Sequence, residues 1–376
     1  MVPFLDLKNQ YANIKTDIDA AVIEVLDSCQ YVLGPAVSRF ETAFGATYDL
    51  KHVIGCSSGT AALHLALLAA GIGRGDEVIT TTMTFIATAT AIDLVGARPV
   101  FVDIEADTAL LDTNLIVAAI TPRTKAIIPV HLYGQCVDMD KVQEIADAHG
   151  LVVIEDAAQA HGAKLGNRFA GSMSRMSCFS FYPGKNLGAY GEGGLVSTTD
   201  DVLATKLRML RDWGQDRKYN HVIKGLNYRM DGIQGAVLDV KMRHIEAWTE
   251  SRRQVAKWYA EALKGIRGII LPVERHGRRH VWHVYGINVA ANQRDTIVKA
   301  LSAHGIGTNL HYPTPVHLQP CFAELGYVHG DFPIAEHHGS TELSLPMYPE
   351  MTHAQVTQVA HALNAVMVKQ SSELAA

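Results

Sequence analysis

The chain has 376 residues, of which 19% are charged and 48% hydrophobic, a composition typical of globular proteins with large buried cores. Its 33 Lys and Arg residues against 38 Asp and Glu residues give a formal net charge of −5, which argues against a nucleic-acid partner. The first residues lack a basic segment followed by an apolar one, and no apolar run is long enough to span a bilayer, so we expect a cytoplasmic protein without membrane contact.

Apolar runs alternate with helical patterns through the first 200 residues. Helical spacing of apolar side chains predicts helices over residues 14–29 and 37–48. Short apolar strands are then predicted to end near Cys56, Thr80, Asp103, Val130 and Asp156. Because strands that alternate with helices form parallel sheets covered on both faces, we predict a three-layer α/β domain with a mostly parallel sheet.

The pattern changes beyond residue 200. One long helix is predicted over residues 233–263, and we interpret it as a bridge to a second unit. That unit has a predicted strand over 281–289 and helices over 294–304 and 353–369. We therefore divide the chain into a large domain, 1–245, and a smaller C-terminal α/β domain, 246–376.

A single lysine follows the predicted buried strand 176–182. Pro183 and Gly184 break this strand, Lys185 lies on the turn, and a glycine-rich stretch follows. Most loop lysines are solvated, whereas a desolvated lysine has a lowered pKa and can form a Schiff base with a carbonyl group. This segment alone leaves both interpretations open.

Other polar groups are predicted at the same edge of the sheet. The helix that begins near Ser58-Gly59-Thr60 is either an ordinary capped helix or an anion site. Asp156 is either an N-cap or a carboxylate that pairs with a cationic ring nitrogen. Pyridoxal 5′-phosphate (PLP) requires a lysine, an acid, an anion site and an apolar face, and Phe85 supplies the fourth.

Ten ordered segments carry a family resemblance: 58–63, 75–79, 84–89, 99–103, 129–134, 155–162, 180–194, 227–230, 312–319 and 343–347. Over about residues 3–365 the chain resembles the DegT/DnrJ/EryC1/StrS family of PLP-dependent nucleotide-sugar aminotransferases. The resemblance implies the fold type I architecture of aspartate aminotransferase.

The resemblance also implies roles for single residues. Lys185 would hold PLP as an internal aldimine, Asp156 would pair with the pyridine nitrogen, Gln159 would bond the phenolic oxygen, and Phe85 would cover the ring. The residues implied for the phosphate are Gly59, Thr60, Ser180 and, from a neighbouring subunit, Asn227. That last role implies a homodimer with composite sites. The resemblance leaves two roles open for Arg229, Tyr312 and His317. They either contact the sugar nucleotide or are structural.

The implied reaction moves an amino group from glutamate or glutamine to an NDP-3- or 4-keto-6-deoxysugar, with Lys185 as the general acid–base. Three alternatives remain open: another fold type I PLP enzyme acting on a non-sugar ketone, a PLP-dependent sugar dehydratase, and a regulatory or DNA-binding protein. The dehydratases of the family carry histidine at the lysine position, so Lys185 favours amino transfer. The negative net charge opposes DNA binding.

No metal site is predicted. The five cysteines are scattered without a Cys-x-x-Cys pair, which fits a reducing compartment. None of the 18 histidines has partners at the spacing of a metal site.

Overall fold

The structure, a computed structural model, describes residues 1–374. Its α-helices are α1 (Leu7–Ser28), α2 (Gly34–Tyr48), α3 (Gly59–Ala69), α4 (Ala87–Leu94), α5 (Ile116–Ala119), α6 (Met139–His149), α7 (Asp201–Arg211), α8 (Gly232–Met242), α9 (Ile245–Ala262), α10 (Arg294–Ala303), α11 (Pro333–Thr341) and α12 (His353–Leu374). Short 3₁₀ turns are Thr113–Leu115, Leu132–Gly134, Val316–Leu318 and Pro320–Leu325.

The strands fall into one large sheet and three small ones. They are β1 (His52–Cys56), β2 (Glu77–Thr81), β3 (Arg98–Val102), β4 (Thr124–Ile128), β5 (Val152–Asp156), β6 (Lys164–Leu165), β7 (Arg168–Phe169), β8 (Met176–Ser180), β9 (Gly194–Thr198), β10 (Gln215–Arg217), β11 (Asn220–His221), β12 (Ile269–Ile270), β13 (Arg278–Arg279), β14 (Tyr285–Val289) and β15 (Glu342–Leu345).

The large sheet confirms the predicted α/β architecture. Its strand order is β1-β9-β8-β5-β4-β2-β3, and β9 alone runs antiparallel to its neighbours. The strands β8, β5, β4, β2 and β3 pair in parallel, so their carboxyl ends lie along one edge. This edge is where a parallel sheet presents its ligand-binding loops.

Successive strand residues enter opposite cores because side chains alternate across a sheet. Ile79 and Phe179 belong to one core, together with Phe44 of α2, whereas Val78 and Cys178 belong to the other. Both cores are closed to solvent by helices, which explains why these strands read as continuous apolar runs.

A separate core forms in the C-terminal part. It joins Tyr259 of α9, Tyr285 of β14, Leu345 of β15 and Leu363 of α12, with Val2 from the start of the chain. Its three-stranded antiparallel sheet has the order β12-β14-β15. The domain boundary at residue 245 stays a prediction.

The prediction of one helix over residues 233–263 is wrong. The chain leaves the helix at Arg243 and His244, whose N–H groups donate to Val240 and Lys241 three residues back. The two halves serve different cores, since Gly235 of α8 packs closely against the Val37 backbone of α2, while α9 packs against α12. A straight helix would not serve both cores.

Other predicted boundaries also move. The first helix begins at Leu7 instead of residue 14, and the strand before Lys185 ends at Ser180 instead of residue 182. The strand predicted over residues 281–289 begins at Tyr285, because the N–H groups of Val281 and His283 donate to Gly134 and Tyr133 outside the small sheet. The last helix runs on to Leu374 instead of ending at residue 369.

Within the described residues, no helix is both long and apolar enough to cross a membrane, and no group of histidine, cysteine and acidic residues has the arrangement of a metal site.

Candidate active site

One cavity of about 670 Å³ opens at the carboxyl edge of the large sheet. The residues that follow β1, β2, β4, β5 and β8 line it, and so do residues of the C-terminal part such as His311 and Met347. Eight of the predicted site residues share this cavity: Gly59, Thr60, Phe85, Asp156, Gln159, Ser180, Lys185 and Tyr312. The structure therefore brings together the groups that the sequence placed at separate strand ends.

Lys185 is held by the turn that follows β8. Its N–H donates to the Tyr182 carbonyl at 2.8 Å, which closes the turn. A Cβ at position 188 would meet the Pro183 carbonyl oxygen at 2.3 Å, so glycine is required there. Burial lowers the pKa of the Lys185 amine to about 8, although the nearby Asp156 carboxylate opposes this shift. The amine is thus more easily neutral, and a neutral amine is the nucleophile.

Asp156 ends β5 and is almost fully buried. Its Oδ2 accepts from the Thr88 hydroxyl at 2.8 Å, and its Oδ1 accepts from the Ala158 N–H at 3.2 Å. Burial raises the pKa of this carboxyl, while these hydrogen bonds and the Lys185 charge favour the ionised form. A buried carboxylate of this kind is stabilised by any cation that enters the cavity beside it.

Replacing Thr88 with Val is expected to weaken the site without unfolding the protein. The change keeps the side-chain shape but removes the hydroxyl that donates to Asp156. Losing a hydrogen bond to a charged group changes free energies by about 1.5–3 kcal/mol, so kcat should fall about tenfold or more. Steady-state kinetics measures this loss, and Thr88→Ser, which keeps the hydroxyl, is the matched control. Equal kcat for Thr88→Val and the wild type would contradict the role of this bond.

The first turn of α3 has the features of an anion site. Ser58 is the N-cap, and its side chain accepts from the Ala61 N–H at 3.1 Å. Among the described residues, the N–H groups of Gly59 and Thr60 donate no hydrogen bond, so both remain free for a ligand. A Cβ at position 59 would lie 2.6 Å from the Ser180 Cβ, which brings the two segments into direct contact. Free N–H groups and the helix dipole together favour a phosphate here.

Gln159 and two aromatic residues form another wall of the cavity. The Gln159 side chain accepts from the Tyr133 N–H at 2.6 Å and donates to the Tyr312 hydroxyl at 3.0 Å. The rings of Phe85 and Tyr312 lie 5.8 Å apart, centre to centre. Phe85 is 56% exposed, which is unusual for phenylalanine and leaves its face open toward a ligand.

Three predicted residues do not line the cavity of their own chain. Asn227 pairs through its backbone with Asp212, and the Arg229 side chain forms an ion pair with Asp212 at 3.2 Å. His317 is 2% exposed, and its ring bonds the Thr82 hydroxyl at 2.6 Å and the Glu336 carboxylate at 3.1 Å. His317 therefore does not reach a ligand in this cavity. Its two hydrogen bonds instead join the segment that follows Tyr312 to Thr82 and Glu336.

Sequence reasoning missed two histidines of the cavity wall, His283 and His311. The Nδ1 of His283 lies 3.2 Å from the Asn186 side-chain oxygen, and the Nδ1 of His311 lies 2.8 Å from the Ser344 hydroxyl. Neither stands at the end of a predicted strand of the large sheet. The position of His311 beside Tyr312 was the one available signal, because Tyr312 was itself a candidate.

The fold and the cavity are typical of a class of enzymes in which a lysine amine, a buried carboxylate and the start of a helix line one cavity. The comparisons with known proteins agree with this class. The DegT/DnrJ/EryC1/StrS aminotransferase family matches residues 12–364. The chain belongs to this family, and it is an aminotransferase of the α/β type with a large, mostly parallel sheet.

Individual relatives cover nearly the whole chain. A Geobacillus stearothermophilus protein named pleiotropic regulatory protein is 48% identical over 94% of this chain and 95% of its own. A Streptomyces venezuelae dTDP-3-amino-3,4,6-trideoxy-alpha-D-glucose transaminase is 46% identical over 96% and 95%. A crystal structure of S. venezuelae DesV, described as in complex with a ketimine intermediate, has a TM-score of 0.95 and 45% identity over 97% and 98%.

Proposed function

We propose that the protein binds PLP on Lys185 and transfers the amino group of glutamate or glutamine to a keto sugar linked to a nucleoside diphosphate. The observation that carries the proposal is the shared cavity of Lys185, Asp156 and the first turn of α3. An amine, a carboxylate and free N–H groups are the three polar partners that this cofactor needs.

The residues present fit PLP in their chemistry. Gly59, Thr60 and Ser180 supply donors for a phosphate, and Phe85 supplies an exposed aromatic face. Asp156 is a buried carboxylate that suits a protonated ring nitrogen, and Gln159 holds hydrogen-bonding groups at the same wall. When bound, the cofactor supplies an electron sink for the carbanion formed at the carbon that bears the amino group.

The protein's own groups then carry the proton movements. The lowered pKa of Lys185 allows its amine to take a proton from the substrate carbon and to return it elsewhere as a general acid. Asp156 would pair with a protonated ring nitrogen of the cofactor, because its carboxylate is buried and has few other cations to pair with. The cavity is large enough for a ligand of several hundred Å³, as a cofactor together with a sugar requires.

The acceptor is proposed to be a keto sugar with its ketone at C3. The Streptomyces relative is named for a dTDP-linked 3-amino sugar, and it matches this chain over nearly its full length. Lys185 stands where the family's dehydratases carry histidine, so the chain retains the amine that an amino transfer needs. We propose that the reaction takes place in the cytoplasm, because an odd number of cysteines scattered along the sequence suits a reducing compartment.

Isotope transfer tests this proposal. The purified protein, PLP and L-glutamate labelled with nitrogen-15 in the amino group are incubated with dTDP- and UDP-linked 3-keto sugars, and the products are analysed by mass spectrometry. We expect the label in an amino sugar nucleotide and an equal amount of 2-oxoglutarate. An unlabelled sugar product that has lost water would indicate the dehydratase alternative, and no change in any keto sugar would overturn the proposed acceptor class.

We further propose a homodimer in which each site takes Asn227 from the partner subunit. In its own chain no residue of the segment 227–231 lines the cavity, although the Tyr228 carbonyl accepts from the Ser57 N–H just before the first turn of α3, and Asp231 bridges to Val32. Tyr31 and Val32 are about half exposed. Leu26, which is close to them in sequence, and Trp213, which follows the Asp212 that pairs with Asn227, are exposed to a similar degree. Exposed apolar side chains beside a polar segment are typical of a subunit interface.

Mixing two inactive variants tests the composite site. Lys185→Ala removes the amine, and Asn227→Asp places a negative charge where the partner's phosphate is proposed to bind. Random exchange makes half of the dimers mixed, and each mixed dimer has one intact site, so the refolded mixture should recover about one quarter of wild-type activity. Activity assays and light scattering measure the outcome. If each site is built within one chain, the mixture stays inactive.

A further inference from the structure

A chain of three hydrogen-bonding groups leads from the cavity wall to β15, on the face of this strand opposite Leu343 and Leu345. His311 lines the cavity, and its Nδ1 lies 2.8 Å from the Ser344 hydroxyl. Ser344 in turn is hydrogen-bonded to Oε1 of Glu342, and the other carboxylate oxygen, Oε2, accepts from the His311 N–H at 2.7 Å. No described residue is hydrogen-bonded to Nε2 of His311, so this nitrogen remains for a ligand.

Glu342 is 1% exposed on β15. A Cβ at position 286 would approach its Oε1 to 2.9 Å, so Gly286 of β14 makes room for the carboxyl group. Burial raises the pKa of Glu342 to about 7, although the bonds from Ser344 and the His311 N–H favour the charged form. The other groups that face it are Arg294, whose charge lowers this pKa, and the neutral phenols of Tyr133 and Tyr312.

His311 itself is neutral near neutral pH. Burial, and then the positive charge of Lys185, lower its pKa to about 4. A neutral imidazole carries one proton, on either Nδ1 or Nε2, and the partner of Nδ1 decides which.

The ionised carboxylate of Glu342 fixes one arrangement of protons. It only accepts hydrogen bonds, so the Ser344 hydroxyl must donate its single proton to Oε1. The Ser344 oxygen can then only accept, and the proton of His311 lies on Nδ1. In this state Nε2 offers the cavity a hydrogen-bond acceptor.

The protonated carboxyl reverses the arrangement. Oε2 stays an acceptor for the His311 N–H, so the added proton belongs on Oε1 and is donated to Ser344. The Ser344 hydroxyl is then free to donate to Nδ1, which places the proton of His311 on Nε2. In this state Nε2 offers the cavity a hydrogen-bond donor.

We propose that Glu342 is a positioning residue which, through the Ser344 hydroxyl, decides whether His311 presents a donor or an acceptor to the sugar acceptor in the cavity. The ligand class is a polyol or keto sugar, whose hydroxyl groups donate and whose ketone only accepts. The sugar part of this inference rests on the proposed function, whereas the proton relay rests on the residues alone.

Glu342→Gln is the decisive variant because its amide can take only one orientation. The His311 N–H must meet the amide oxygen, so the amide NH₂ occupies the place of Oε1 and donates to Ser344. This fixes the arrangement of the protonated acid at every pH. Ser344→Ala is the matched control, since it cuts the relay but keeps the bond from the His311 N–H to Glu342.

Histidine nitrogen NMR reads the proton position directly. The protein with its cofactor is labelled with nitrogen-15 histidine, and the His311 signal is assigned by its loss in His311→Asn. In the wild type, we expect the proton of the His311 ring on Nε2 at about pH 6 and on Nδ1 at about pH 8.5. In Glu342→Gln, we expect this proton on Nε2 at both pH values. In Ser344→Ala the proton position should not change with pH. A wild-type ring that keeps one tautomer, or a Glu342→Gln ring that still switches, would overturn the proposal.

Kinetics separates the relay from the substrate assignment. The Lys185 amine, whose pKa is lowered to about 8, also titrates in this range, so the wild type is compared with Glu342→Gln at each pH. For a nucleotide-linked keto sugar the two proteins should have similar kcat/KM at about pH 6 and should differ at least about fivefold at about pH 8.5, the effect of one mispaired hydrogen bond. A tautomer switch in a protein that turns over no keto sugar would support the relay and count against the proposed function. Turnover of a keto sugar without any tautomer switch would support the proposed function and overturn the relay.

Discussion

Replacing Lys185 with Ala is expected to lower kcat for amino transfer by at least about 10³-fold. General acid–base catalysis by one positioned group contributes about 10²–10⁴-fold, and Lys185 also supplies the amine that is proposed to hold the cofactor. The change removes a half-buried side chain on a turn whose backbone bond, from the Lys185 N–H to Tyr182, does not depend on the side chain. The fold should therefore survive.

Two measurements check this result. Single-turnover kinetics gives the loss of rate, and the absorption spectrum shows whether the visible band of the cofactor depends on Lys185. Lys299→Ala, at an exposed position of α10, is the control for removing a lysine and should behave as the wild type. A Lys185→Ala protein that retains wild-type turnover would show that another group performs the proton transfer.

Replacing Asp156 with Asn is expected to be the second most damaging single change, lowering kcat about 10²–10³-fold, as is typical when one electrostatic partner is lost from an active site. The amide keeps the size of the side chain and can still bond Thr88 and the Ala158 N–H in part. It has no negative charge, so it cannot hold positive charge on the ring of the proposed cofactor. Cofactor binding should weaken less than kcat.

Asp140→Asn is the matched control for this change. Asp140 is exposed, and its ion pair with Arg168 lies outside the cavity, so the same chemical change there should leave kcat unaltered. Equilibrium dialysis with PLP and stopped-flow kinetics separate binding from turnover. Unchanged kcat in Asp156→Asn would show that the reaction does not need the Asp156 carboxylate.

Part of the site could be predicted because parallel sheets constrain where residues meet. Asp156 and Ser180 are the last residues of β5 and β8, which pair side by side. Predicting the two strands therefore placed both side chains within two residues of the same sheet edge. Lys185 follows by five residues, and the Pro183-Gly184 break limits how far it can travel. The apolar runs predicted these strands because both faces of the sheet are buried.

The segments that cross the cavity from the C-terminal part could not be predicted in this way. His311 and His317 stand six residues apart in one irregular segment, yet His311 lines the cavity and His317 bonds Thr82 and Glu336 in the interior. Neither periodicity nor turn chemistry distinguishes them, because the difference arises from contacts with distant elements. Glu342 was missed for a similar reason, since an acid within a short apolar strand gives no local sign of its partners.

The break between α8 and α9 shows another limit of sequence patterns. Each helix has its own apolar face, and the two faces are continuous enough to resemble one long helix. The break is set by packing, since Lys241 near the end of α8 is fully buried and donates to the Gly188 carbonyl at 2.6 Å. This contact ties the end of α8 to the glycine-rich stretch that follows Lys185.

The most direct test of the account is the visible spectrum of the protein with PLP during the two halves of one reaction cycle. We predict a visible band that L-glutamate removes, with release of 2-oxoglutarate, and that a nucleotide-linked 3-keto sugar then restores as the amino sugar forms. If glutamate and glutamine both leave the band unchanged, or if the protein binds no PLP, the proposed roles of Lys185 and Asp156 are contradicted.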